Sequence, residues 1–271
     1  MSKNNKYVFF LSFLISSNVF ALEGLNGYDC VIEPFETVEM SSQVRGILEE
    51  VLVNRGDKVS KGQLIAKLVS AVEESSVQMA KARANTYIDI KVKHARLELS
   101  KRTFERVLGL HNKKMISALE KDEAETAVYV AEFDEKKSRF DKTLAQLEFN
   151  QAVEILNLRF LKSPIDGLVV KRYKSPGEYI EEDPIVKIVQ TDPLRVEVIA
   201  PLAVFGQIKI GDEAIIRPEI PIGSQYIAKV IIVDQVVDPS SATFGIRLEL
   251  SNHNHEIPSG LQCDIEFIKK K

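Results

Sequence analysis

Two segments far apart in the chain repeat one pattern, and that repeat constrains the fold more than any other feature. The first runs Val44-Arg45-Gly46-Ile47-Leu48, through Arg55-Gly56-Asp57-Lys58-Val59, to Gly62-Gln63-Leu64-Ile65-Ala66-Lys67-Leu68. The second runs Ile165-Asp166-Gly167-Leu168-Val169, through Pro176-Gly177-Glu178-Tyr179-Ile180, to Asp183-Pro184-Ile185-Val186-Lys187-Ile188-Val189. Gly46 to Gly56 and Gly167 to Gly177 are equally spaced, and Val59/Ile180, Leu64/Ile185 and Leu68/Val189 stay in register. Self-similarity of this kind sets the architecture ahead of any single-residue assignment. It predicts two half-sandwiches that must pair to bury their apolar faces, brought together across a long insertion.

The insertion reads as helical. Ser70-Ala71-Val72-Glu73 matches a capping box, in which the serine accepts from the third amide and the glutamate reaches back. No proline and one glycine, Gly109, lie between it and His111-Asn112, where the helix is expected to end. Ala80, Ala84, Tyr87, Ala95 and Leu99 mark a face of this first helix. Ser117-Ala118-Leu119-Glu120 is a second capping box, and behind it Val130, Phe133, Phe140, Leu144, Leu147 and Leu158 mark a second helix of similar length. Phe133, Phe140 and Leu147 recur every seven residues, with Lys137, Leu144, Gln151 and Leu158 between them, which predicts a coiled-coil-like but imperfect seam. Two helices joined by a short turn are antiparallel neighbours. Each should be roughly 60 Å long, a projecting rod. Ser163-Pro164 ends the second helix.

Beyond Val189 the pattern becomes alternating apolar and polar. Leu194–Val198, 214–217, Tyr226–Val233, 244–250 and 261–267 are short strands separated by turn signals such as Ile210-Gly211-Asp212 and Asp238-Pro239-Ser240-Ser241. Regular short strands of this kind predict a small closed β-barrel. The segment 30–40 is extended and interrupted by Pro34.

Length, charge and termini bound the function. A chain of 271 residues holds one to three small domains. Its net charge of −3 gives no basic stripe or face for a nucleic-acid partner. Lys3 and Lys6 precede an apolar run at 7–15, and Val19-Phe20-Ala21 offers a cleavage site, so 1–21 is expected to be a secretory signal peptide, too short at its core to span a bilayer. No Cys follows Ala21 directly, so no lipid anchor is expected there, and Lys269-Lys270-Lys271 is expected to be a solvated tail. Export permits a disulfide between the two cysteines, Cys30 and Cys263, which both sit in strand-like segments. The alternative is two small buried side chains.

Catalytic chemistry is hard to find. His94 and His111 lie scattered along a charged helix, where solvent is their expected partner, and Asn252-His253-Asn254-His255 lacks the cysteines or carboxylates that complete a metal site. No phosphate-binding glycine loop, nucleophile elbow or HExxH motif occurs. Neither an enzyme, a resident metal nor a cofactor is expected. Sandwiches of two such halves also carry biotin or lipoate on a hairpin lysine. Here that hairpin is replaced by everything from 70 to 160, which argues against a carrier.

The turn between the helices is the most informative spot. Arg106 and Leu110 are four apart, hence on one helical face, and Ser117 begins the return helix. This spacing resembles the arginine–leucine–serine motif at the hairpin tip of periplasmic adaptors, the membrane fusion (HlyD-type) family of tripartite efflux pumps. Asp192-Pro193-Leu194, Val237-Asp238-Pro239 and Pro258-Ser259-Gly260-Leu261 resemble that family's barrel-domain landmarks. The resemblance implies a non-enzymatic α+β chain of elongated shape. A barrel-sandwich hybrid (lipoyl-like) domain would comprise 41–69 and 161–190, a long antiparallel α-helical hairpin 70–160, and a small β-barrel domain 22–40 and 191–271. It also implies a periplasmic location and two partners. Arg106, Leu110 and Ser117 would dock on an outer-membrane channel protein, the other partner being an inner-membrane transporter of RND or ABC type. Several copies would assemble as a ring or funnel. Many members carry a further membrane-proximal domain, for which the sequence to Lys271 leaves no room. The alternative is a periplasmic coiled-coil binding or scaffold protein not coupled to a pump.

Overall fold

The computed structural model describes residues 26–219 and 222–268. The expected signal peptide at 1–21 and the tail Lys269-Lys270-Lys271 lie outside the described residues. In chain order the elements are β1 (Asn26–Ser41), β2 (Gly46–Val51), β3 (Lys58–Val59), β4 (Leu64–Leu68), α1 (Ala71–Ala84), α2 (Ile88–Asn112) and α3 (Ala118–Asn157). There follow β5 (Phe160–Lys162), β6 (Gly167–Arg172), β7 (Tyr179–Ile180), β8 (Pro184–Pro201), β9 (Glu213–Pro218), β10 (Tyr226–Val233), β11 (Thr243–Leu250) and β12 (Leu261–Ile268). The described residues form two compact units, 36–190 and 26–35 with those from 191 to 268.

In the unit 36–190 the two repeats exchange strands rather than folding separately. β2 pairs with β7, setting Gly46 opposite Ile180, and β3 pairs with β6, setting Val59 opposite Gly167. These are the same two repeat positions, used twice with the copies interchanged. The turns follow the same rule. Gly56 N–H donates to the Val169 carbonyl and Gly177 N–H to the Leu48 carbonyl, each at 2.8 Å. Asp57 accepts from the Asn54 amide at 2.7 Å, and Glu178 from the Ser175 amide at 2.6 Å. Gly56 and Gly177 adopt φ of 95° and 89°, the left-handed region in which glycine alone is unstrained. Between the halves lies one core, in which Leu48, Ile65, Leu68, Val169, Ile180, Ile185 and Ile188 are essentially fully buried.

The other unit is a barrel of six antiparallel strands. They run β1–β12–β9–β10–β11–β8, and β8 pairs back to β1. Closure removes the exposed edges that an open sheet would offer to other chains. Alternation supplies the core, with Ile32, Leu194, Val196, Ile216, Ile246 and Leu248 at 0 % exposure. Cys30 and Cys263 are opposite partners on β1 and β12 and are joined by a disulfide. The loop Asn252-His253-Asn254-His255 is a tie rather than an open polar turn. Buried Asn252 donates to the Thr191 and Ile257 carbonyls at 2.9 Å, and His253 Nδ1 lies 2.7 Å from Asp192.

Candidate functional site

The helical hairpin, which emerges from the unit 36–190, divides into root, seam and tip. At the root the capping box expected at Ser70 does not form. The Ser70 hydroxyl donates instead to Glu74 at 2.7 Å, and Glu73 is taken by another partner. Arg159, just beyond the end of α3, reaches Glu73 through Nη2 at 2.6 Å and Nε at 3.0 Å, and its Nη1 donates to the Arg45 carbonyl at 3.0 Å. One guanidinium thus joins the start of α1, the end of α3 and the sandwich edge. Its fork of rigid donors suits it to this task. Glu73 is held below the ordinary carboxylate range, first by its own backbone amide and then by Arg159. Lys67 adds ion pairs to Glu49 at 3.0 Å and Glu74 at 3.6 Å. Arg159 carries no signal in the sequence, because its two partners, Glu73 and Arg45, are distant in the chain.

The first arm is not one continuous helix. It breaks at Asn85-Thr86-Tyr87, where the amides of Asn85 and Thr86 turn back to Lys81 and Arg83 and Lys142 lies 4.0 Å from the Tyr87 ring centroid. Asn, Thr and Tyr are all weak helix formers, and tertiary contact decides their state. The return arm is continuous for 40 residues, α3, about 60 Å.

The seam also differs from the expectation. Phe133, Phe140 and Leu147 are 65 %, 61 % and 57 % exposed, so the large apolar heptad faces away from the other arm. The contact face of α3 is instead Val128, Ala131, Glu135, Ser138, Lys142 and Ala145, spaced three and four apart. On α2 the matching face is Ile90, Lys93, Leu97, Ser100, Phe104 and Val107. Of the first-arm residues read as one face, Ala84 is buried, but Tyr87, Ala95 and Leu99 are exposed. Small residues allow the two backbones close approach, and the long side chains are then displaced outward. Midway the seam carries charge. Glu135 accepts from Arg139 at 2.6 Å and lies 3.1 Å from His94, and Lys93 pairs with Asp134 at 2.9 Å. Arg139 first, then His94, hold Glu135 below its ordinary pKa. His94 is therefore partnered rather than simply solvated.

At the tip, α2 ends in a Schellman turn. The Met115 amide bonds the Leu110 carbonyl at 3.1 Å and the Lys114 amide the His111 carbonyl at 2.7 Å, with Lys114 left-handed at φ 58°. Ser117 caps α3, accepting from the Glu120 amide at 3.2 Å while Glu120 accepts from the Ser117 amide at 2.8 Å, a complete capping box. The Ser117 amide and then its hydroxyl hold Glu120 below the ordinary glutamate value. Arg106 is exposed, with Nη2 3.3 Å from Thr103 Oγ1, and Leu110 is 39 % exposed. Arg106, Leu110 and Ser117 thus all lie within the last turns around this loop. Among the described residues no group of three or more His, Cys, Asp or Glu is placed to hold a metal ion, and no helix is long and apolar enough to cross a membrane.

The model of the CzcB-like barrel-sandwich hybrid domain matches residues 36–190. An uncharacterised protein of Haemophilus influenzae is 22 % identical over 233 residues, covering 85 % of this chain and 54 % of the relative. The cobalt-zinc-cadmium resistance protein CzcB of Cupriavidus metallidurans is 22 % identical over 148 residues, 55 % of this chain and 26 % of the relative. The chain therefore spans about half the length of the first of these relatives and a quarter of the second. The crystal structure of MacA from Actinobacillus actinomycetemcomitans has the same fold, with a TM-score of 0.76 at 21 % identity over 90 % of this chain and 79 % of that one.

Proposed function

Because the chain belongs to the CzcB-like barrel-sandwich hybrid family, and with it to the HlyD-type membrane fusion proteins, we propose that it is the periplasmic adaptor subunit of a tripartite efflux pump. Members of this family are non-enzymatic scaffolds. In this reading the chain links an inner-membrane transporter to an outer-membrane channel protein, and it conducts and couples while the transporter supplies the energy. What supports the reading is the insertion of the hairpin between the two repeats, rooted there by Arg159, with Arg106, Leu110 and Ser117 exposed at its far end.

Each tip residue has a role the chemistry supports. The Arg106 guanidinium offers donors to carbonyl or carboxylate groups of the channel. Leu110 offers an apolar contact. Ser117 spends its hydroxyl within the capping box, so its part is to hold the loop that presents Lys113 and Lys114. A photo-crosslinking residue at position 113 or 114 in the full chain tests the reading in cells. The expected product contains an outer-membrane channel protein identified by mass, and Arg106→Asp removes both that product and export while helicity is unchanged. Trapping only other proteins, or full export by Arg106→Asp, overturns it.

A further inference from the structure

One cleft in the unit 36–190 takes no part in holding the hairpin. It lies where the Gly56 turn of the first repeat meets the end of β6 in the second. Its volume is about 710 Å³, and Asn54, Arg55, Lys171, Arg172, Lys174 and Ser175 are among the residues that line it. Four of these six side chains are cationic, and no carboxylate lines the cleft. Like charges that face each other on adjacent strands destabilise a sheet. Lys171 nevertheless stands directly opposite Lys187 of β8. Lys187 is offset by Glu39 at 3.1 Å, which also accepts from the Tyr173 hydroxyl at 3.0 Å. Glu39 senses Lys171 only at longer range; the Lys171 ammonium lies 4.4 Å from the Tyr173 ring centroid.

The other carboxylates nearby are also committed. Asp183 at 3.1 Å and Glu178 at 3.8 Å neutralise Lys174, and Asp57 accepts from the Asn54 amide at 2.7 Å. Among the described residues, none of Arg55, Lys171 and Arg172 is ion-paired. Three cations without a counter-charge therefore share one cleft. Arg172 is fixed in place all the same. Its Nε donates to the Lys174 carbonyl at 3.1 Å and its Nη1 to Asn54 Oδ1 at 2.9 Å. Both acceptors are neutral, so they orient the guanidinium without cancelling its charge, and Nη2 is left for another partner. A rigid fork of donors of this kind suits phosphate oxygens, which it can grip in pairs. A phosphomonoester carries a charge of about −1.5 to −2 at pH 7, a closer match to three cations than a single carboxylate.

We propose that this cleft binds a phosphomonoester group, with Arg172 gripping its oxygens and Arg55 and Lys171 supplying charge. The group is carried by a soluble ester or by a lipid headgroup, and two arms of one experiment tell these apart. In a chloride buffer the full chain is titrated with glycerol 3-phosphate by calorimetry. It is also floated with vesicles of phosphatidylcholine, with and without phosphatidic acid. The variants are Arg172→Lys, which keeps the charge but loses the fork, and Arg55→Gln and Lys171→Gln, whose side chains make no hydrogen bond among the described residues. Lys229→Gln, at an exposed position on the barrel, is the control, and circular dichroism confirms that each variant folds. The expected result is saturable binding, half-complete below about 1 mM. Arg172→Lys should weaken it about tenfold and Arg55→Gln and Lys171→Gln several-fold, with Lys229→Gln unchanged. Binding of glycerol 3-phosphate assigns a soluble ester, and capture only by vesicles holding phosphatidic acid assigns a lipid headgroup. No saturable binding in either arm, or equal weakening by Lys229→Gln and the cleft variants, overturns the proposal. The readout needs neither transporter nor channel, so it stands or falls apart from the adaptor reading.

Discussion

The seam assignment makes a prediction that runs against side-chain size. Leu97 is 4 % exposed on the inner face of α2, whereas Phe133 is 65 % exposed on the outer edge of α3. Truncating a buried leucine to alanine costs about 2–5 kcal/mol, the spread reflecting how far the site collapses. The facing arm is lined by small side chains such as Ala131 and Ser138, and two helices settle together more easily than a closed core, so Leu97→Ala should cost about 2–3 kcal/mol. Phe133 buries only about a third of its surface. With full burial of a phenylalanine at about 3 kcal/mol, the loss is about 1 kcal/mol, and the better helix propensity of alanine returns about half of that. Phe133→Ala should therefore cost about 0.5 kcal/mol. The assay is urea unfolding of the full chain followed at 222 nm, where α1, α2 and α3 dominate, at submicromolar concentration so that self-association contributes little. Equal losses, or a larger loss for Phe133→Ala, would refute the inner-face assignment and restore the size-based heptad.

Further measurements probe the other parts of the fold. A Cβ at Gly167 would strike the Val189 carbonyl oxygen, part of a strand that cannot swing aside, so Gly167→Ala should lower stability by about 3 kcal/mol; Gly109, with open space around it in α2, should tolerate alanine and gain up to about 1 kcal/mol. Comparing the two urea midpoints checks both. The disulfide closes a separation of 233 residues, for which loop entropy gives roughly 5 kcal/mol as an upper figure. Dithiothreitol should accordingly lower the unfolding midpoint of the barrel, and an unchanged midpoint would show that Cys30 and Cys263 are not bonded in the protein. Glu73, Glu120 and Glu135 all have folded-state pKa values below the ordinary one, so the unfolded chain binds more protons through that range. Their contribution is complete above the ordinary glutamate pKa and is lost as pH falls through the depressed values. Helicity under mild urea should therefore decline on acidification below pH about 4.5, and Glu73→Gln should flatten that decline; the same slope in the variant would count against the root contact.

The repeat was legible because glycine and its turn partner carry a backbone requirement into the sequence. Gly56 and Gly177 hold left-handed turns, and Asp57 and Glu178 close them, so equal spacing of those letters reported equal geometry. The six-stranded barrel was legible by the same logic, since one face of each strand must be apolar. The exchange of strands between repeats was not legible. Gly46 opposite Ile180 and Gly167 opposite Val59 are contacts between copies, and an internal repeat gives each half two equivalent partners, itself or its twin. Nor was the break at Asn85-Thr86-Tyr87, which lacks proline and glycine and is decided by where Lys142 of the return arm meets the Tyr87 ring.

The hairpin shows why the largest apolar period can mislead. A heptad scan weights Phe133, Phe140 and Leu147 above Ala131, Ser138 and Ala145, because it scores the hydrophobicity of each position rather than the room around it. Two antiparallel helices held at one end by Arg159 gain most by close approach, and close approach requires small residues and a few well-paired charges, such as Glu135 between His94 and Arg139. The same constraint pushes every large apolar side chain of the middle of α3 onto the edge that the hairpin cannot cover by itself. A contiguous exposed edge of this kind differs from the scattered single apolar residues that any surface carries. The apolar period of α3 thus marks the face that the seam excludes, and the seam itself is written in the small and charged residues between.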